Sequence, residues 1–117
     1  AAIRRASYIA STVTISGGIY SLTTPSDAPD QPISAMIFHG GLTDIAGGLE
    51  FQAASELFGA AIEARGGYAL MCDHGQGHFY TSDRNIAFDF MMAHPYGTAP
   101  SPFETDGLPS WVPDYCG

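Results

Sequence analysis

Two apolar runs, Ile33-Ser34-Ala35-Met36-Ile37-Phe38 and Tyr68-Ala69-Leu70-Met71-Cys72, each give way to a glycine-rich loop carrying a titratable side chain. Runs this short and this apolar read as strands buried on both faces. Between them, over 49–65, Phe51, Ala54, Leu57, Phe58, Ala61 and Ile62 recur at spacings of three and four, which predicts an amphipathic helix. Gly66-Gly67 stops that helix as a left-handed cap, with Arg65 in its last turn. Strand, helix and strand in that order make a parallel pair. Both loops then open at the same edge of one sheet, where their side chains converge.

The rest of the chain extends the same α/β pattern. Ser11-Thr12-Val13-Thr14-Ile15 is β-branched and apolar, ends at Ser16-Gly17-Gly18, and reads as another parallel strand. Residues 19–32 read as surface loop, because Pro25, Pro29 and Pro32 with Asp27 and Asp30 break both periodicities. Thr81, Ser82 or Asp83 caps a last helix reaching about His94, with Ile86 and Phe90 inward, Met91 as a further inward position, and Pro95 as its end. The opening Ala1–Ala10 reads as the tail of a helix already under way, Arg4 and Arg5 meeting the negative end of its dipole. Three parallel strands leave one hydrophobic flank that needs a cover. The expectation is therefore one α/β domain, with a core over 1–95 and an ordered tail over 96–117 held by Phe103 and Trp111, its sheet completed by an N-terminal segment or a partner chain.

Composition narrows the partners. Twelve acidic residues stand against four arginines and no lysine, a formal charge of −8. Binding to a phosphate backbone calls for the opposite sign, so no nucleic-acid partner is expected. No apolar run reaches the length of a membrane span, so no membrane partner is expected either. Cys72 and Cys116 are the two cysteines. A disulfide between them would pin the tail to the sheet and imply an oxidising, extracellular compartment. The alternatives are two unpaired thiols, or pairing with a cysteine on another segment.

Asp44 follows the first of these two strands and its His39-Gly40-Gly41 preface, where a carboxylate can accept from an imidazole and set its tautomer. His78 ends the loop Gly75-Gln76-Gly77 after the second, where glycines let the backbone bring an imidazole over the sheet edge. His78 is preferred over His74 as the base, because His74 is closer to the rigid strand end. His39 reads as structural, its ring bonding backbone around the loop. The spacing of His74 and His78 has no metal-binding companion motif and Gly75 and Gly77 argue against a helix there, so neither a metal nor a cofactor is expected. Acid and base are two parts of a catalytic triad, and no Gly-x-Ser-x-Gly elbow occurs in the chain to supply the third. Ser16 stands in the right order before Asp44 and His78, but Thr14 occupies the place of the first elbow glycine.

Taken together, Ser16-Gly17-Gly18, His39-Gly40-Gly41-Leu42-Thr43-Asp44 and His74-Gly75-Gln76-Gly77-His78 resemble the C-terminal part of serine esterases of the α/β-hydrolase fold. Within that fold they are similar to polyhydroxybutyrate depolymerases and feruloyl or acetylxylan esterases, over about residues 1–95. The resemblance implies a secreted carboxylic-ester hydrolase that works through an acyl-enzyme and uses no cofactor. Asp44 would be the triad acid and His78 the base, while the serine and the oxyanion-hole amides would lie on an upstream segment or companion chain. Phe79 and Tyr80 would wall the substrate pocket. Ile45-Ala46-Gly47-Gly48 departs from the Val-Pro that often follows the acid in this family. The competing expectation is a noncatalytic structural or binding subunit, or a degenerate hydrolase domain that keeps both loops without using them.

Overall fold

The computed structural model describes residues 9–19, 32–79 and 84–117. The expected first helix, most of the 19–32 loop, the capping residues 81–83 and Tyr80 lie outside the described residues. Three parallel strands form the main sheet in the order β1 (Ser11–Ile15), β2 (Ser34–His39), β5 (Tyr68–Asp73). Helix α1 (Phe51–Glu63) joins β2 to β5 and packs on both. The burial on both faces expected of the two runs is realised in β2, every residue of which is buried, and only in part in β5, where Leu70 and Cys72 alone are buried.

In β2 and β5 odd-numbered positions turn to one face and even-numbered ones to the other, where Val13 and Ile15 of β1 join them. Ala35 and Ile37 pack with Ile33, Phe58 and Ile62 beneath α1. Met36, Phe38, Leu70 and Cys72 pack on the opposite face with Phe90 of helix α2 (Arg84–Ala93) and with Phe103, Val112 and Cys116. Met36, Ile37, Ile62 and Phe90 are fully buried, and each such side chain contributes roughly 1.5–3 kcal/mol relative to an exposed one. Met91, expected to face inward, is instead exposed together with Phe88 and Met92. The inward stripe of α2 is Ile86, Phe90 and Ala93, and Met91 falls outside that arc.

Two further features differ from expectation, and both have local causes. Leu49 and Glu50 do not begin the helix. They form β4 (Leu49–Glu50), antiparallel to β3 (Ile45–Ala46), because Gly47 and Gly48 take φ of 58° and 78°. Two left-handed residues make the tight turn that suits a two-residue hairpin. In the tail, α3 (Pro102–Asp106) carries a capping box in which the Ser101 hydroxyl accepts from the Phe103 amide and the Glu104 carboxylate accepts from the Ser101 amide. Ser-x-x-Glu with proline at the first helical position is the sequence signature of that start.

Cys72 and Cys116 form a disulfide across 44 residues. The tail also pairs with the free edge of β5: the Asp73 amide donates to the Tyr115 carbonyl at 3.1 Å and the Gly117 amide to the Met71 carbonyl at 2.8 Å. Phe103 meets Trp111 edge to face at 5.7 Å, so the tail is held by the aromatic pair and the disulfide together.

Candidate active site

The C-terminal ends of β2 and β5 deliver the two loops side by side. The His74 amide donates to the His39 carbonyl at 3.0 Å, and the Gly77 amide donates to the Gly40 carbonyl at 2.9 Å. This contact is why glycine stands at position 40: a Cβ there would lie 1.9 Å from the Gly77 carbonyl oxygen. After a 3-10 turn at Gly41–Thr43 the chain reaches Asp44, whose own carbonyl accepts from the Phe51 amide at the start of α1. The acid loop is thus closed on both sides, by the histidine loop and by the helix.

Asp44 and His78 meet across that closure. Asp44 Oδ1 lies 2.8 Å from His78 Nδ1, while Oδ2 accepts from the Gly40 amide and the Ser16 hydroxyl, each at 2.9 Å. Asp44 is 1 % exposed. Burial alone would raise its carboxyl pKa, but the Gly40 amide, the His78 ring and the Ser16 hydroxyl outweigh it and hold the group below its usual 3.8. An ionised carboxylate only accepts hydrogen bonds. Nδ1 of a neutral His78 therefore carries the proton, and Nε2 keeps a free lone pair.

The His78 side chain is 46 % exposed. Its ring stacks on Phe51, with centroids 4.8 Å apart and planes at 28°, and it borders a cleft of about 460 Å3 that is also lined by Ile15, Ser16 and Phe79. Phe79 is exposed at the rim of this cleft. A second cavity of about 190 Å3 is lined by Leu42, Asp44, Glu50, Gln52 and Glu56 among others.

The remaining histidines are engaged elsewhere. His39 is buried and its Nδ1 accepts from the Gly41 amide at 3.1 Å, with Asp73 Oδ1 3.8 Å away. His74 turns back on its own loop, its Nδ1 accepting from the Gln76 amide at 3.3 Å. Ser16 touches the acid rather than the ring. Among the described residues, no group of three or more His, Cys, Asp or Glu is arranged to hold a metal ion.

The structure brings Asp44 and His78 together and sets Phe79 beside the base, while Tyr80 lies outside the described residues. Ser16 is a strand-end serine beside the pair, whereas no motif in the sequence marked Phe51 as its neighbour. Phe51 carried a helix-period signal and nothing more. The Gly47-Gly48 turn that decides where α1 begins, and hence where Phe51 sits, was the available clue.

No family model, curated protein or solved structure matches the chain. A buried carboxylate bonded to one nitrogen of a half-exposed imidazole orients the ring and, in the neutral form, leaves the other nitrogen as a hydrogen-bond acceptor.

Proposed function

We propose that this chain supplies the acid and base of a serine carboxylic-ester hydrolase. The observation that carries the reading is the 2.8 Å contact between buried Asp44 and half-exposed His78 at the margin of a cleft. In this reading the chain is the C-terminal portion of an α/β-hydrolase fold, similar to polyhydroxybutyrate depolymerases and feruloyl esterases. The nucleophilic serine and the oxyanion-hole amides reside on an upstream segment or a companion chain, which also continues the sheet. Support for a nucleophile elsewhere comes from Ser16, whose hydroxyl hydrogen goes to Asp44 and not to His78.

The steps follow from the tautomer. His78 Nε2 takes the proton of the attacking serine as its oxygen bonds to the ester carbonyl carbon, and Asp44 stabilises the imidazolium that forms. The imidazolium then protonates the departing alkoxide, and the acyl-enzyme remains. Water attacks the acyl group by the same proton route in reverse, releasing the carboxylic acid. Phe79 lines the approach to the base, and no cofactor enters the scheme. The Cys72–Cys116 disulfide supports a secreted protein.

A tagged fluorophosphonate applied to the intact protein tests the reading. Label on a serine outside this chain, lost in His78→Ala, is the expected result. An unlabelled protein that turns over no ester would instead favour a noncatalytic subunit.

A further inference from the structure

Among the described residues Ser16 is the only non-glycine with a positive φ, at 43°. L-residues avoid that region, and one held there is over-determined by its surroundings. The restraints on either side are explicit. The Ser16 amide donates to the Phe38 carbonyl at 2.9 Å, extending the β1–β2 ladder by one residue. Beyond it, the Ser55 hydroxyl donates to the Gly17 carbonyl at 2.9 Å and the Ile19 amide donates to the Ala54 carbonyl at 3.1 Å. Gly18 lies so close to α1 that a Cβ would stand 2.1 Å from the Ala54 carbonyl oxygen.

Between these anchors the left-handed turn aims the Ser16 hydroxyl at Asp44 Oδ2, 2.9 Å away. A serine has one hydroxyl proton to donate, and this one goes to the acid. With the Gly40 amide on the same oxygen, Oδ2 is held by two donors and Oδ1 alone is left for the imidazole. Rotation of the carboxylate would break both bonds to a buried group, for which unmade hydrogen bonds are costly.

We infer that Ser16 is a positioning residue for the acid: its hydroxyl clamps Asp44 so that His78 is held with its proton on Nδ1 and its lone pair on Nε2. The catalytic consequence rests on the hydrolase reading above, but the clamp itself does not. Its lowering effect on the Asp44 carboxyl pKa is in the same direction.

The test compares Ser16→Ala and Ser16→Gly with the parent in the intact protein. Alanine removes the hydroxyl and keeps the backbone strain, whereas glycine removes both, so a loss common to the two belongs to the hydroxyl. Nitrogen-15 NMR of the His78 ring should show the Nδ1–H tautomer in the parent and a shift toward Nε2–H in both variants. The Asp44 carboxyl should titrate at higher pH in both. Ester hydrolysis should fall about tenfold or more in kcat with KM held, the size expected for one hydrogen bond to a charged acceptor. An unchanged tautomer and titration in Ser16→Gly would overturn the inference, as would fluorophosphonate label on Ser16 itself. A tautomer shift in a protein whose parent hydrolyses no ester would uphold the clamp and sink the hydrolase reading alone.

Discussion

Asp44 and His78 are 2.8 Å apart, yet the carboxylate is closed to water while the imidazole is nearly half open to it. The hydrogen bonds from Gly40, His78 and Ser16 keep the carboxylate ionised against that burial, while the imidazole remains open to solvent. Asp44→Asn preserves the shape and reverses the polarity of the contact, since an amide can donate to Nδ1. It should lower ester turnover by about 10^3–10^4-fold, and His78→Ala by a similar factor. Steady-state hydrolysis of a soluble aryl ester by the intact protein measures both. Turnover within about threefold of the parent in either variant would remove the pair from the mechanism.

Two glycines near the site separate steric from conformational need. Gly40 has an ordinary φ of −101°, but a Cβ there meets the Gly77 carbonyl oxygen at 1.9 Å. Gly40→Ala must therefore push the histidine loop away from the acid loop, costing roughly 1–3 kcal/mol or more as overpacking and disrupting the Asp44–His78 contact. Gly47 has open space around it and a φ of 58°. Gly47→Asn, a residue that tolerates the left-handed region, should stay within about 1 kcal/mol of the parent. Urea denaturation of the two variants decides it, and equal losses would contradict the contrast.

The disulfide closes a loop spanning 44 residues of separation and ties the tail to β5. Replacing both cysteines by serine should destabilise the fold by about 2–4 kcal/mol, chiefly by freeing the unfolded chain. The two backbone bonds of Tyr115 and Gly117 to the β5 edge should weaken with it. Amide hydrogen exchange at Asp73 and Gly117 reports that directly. Protection unchanged in the double variant would mean that Phe103 and Trp111 hold the tail without the covalent link.

His94 predicts the acid limb of stability. It is fully buried, with Nδ1 2.9 Å from the Phe90 carbonyl and Nε2 2.7 Å from the Ser101 hydroxyl, and its ring stacks on Tyr68 and meets Phe90 at a tilt. Burial holds its pKa below the usual 6.5, against the Phe90 carbonyl and the Glu104 charge that pull it upward. Below pH 6.5 the unfolded chain binds a proton at this residue that the folded chain refuses, so stability is full above that pH and declines beneath it. Asp44, lowered from 3.8, adds a second loss at more acid pH. Melting temperature should fall as pH drops below 6.5, and His94→Gln should flatten the first limb. A parent Tm that is level down to about pH 5 would show that His94 takes up its proton equally in the folded and unfolded states.

What the sequence determined by itself was the α/β order and the placing of Asp44 and His78 on neighbouring loops. Short apolar runs at Ile33–Phe38 and Tyr68–Cys72 with a helix-period stretch between them admit few arrangements, and each run ends in a loop with its titratable residue in place. Those are local signals, carried by periodicity and by glycine. The sequence also held the Gly47-Gly48 turn and the Ser101-x-x-Glu104 cap, both local and both legible by their own rules. Only the tertiary structure decided that Cys72 pairs with Cys116, that Phe51 lies against the ring of His78, and that the Ser16 hydroxyl lands on Asp44. These contacts join residues 27 to 44 positions apart, and which partners meet depends on strand register and on the close approach of backbones at Gly18, Gly40 and Gly77. Such distances are set by packing of the whole sheet against α1, and no window of sequence contains them.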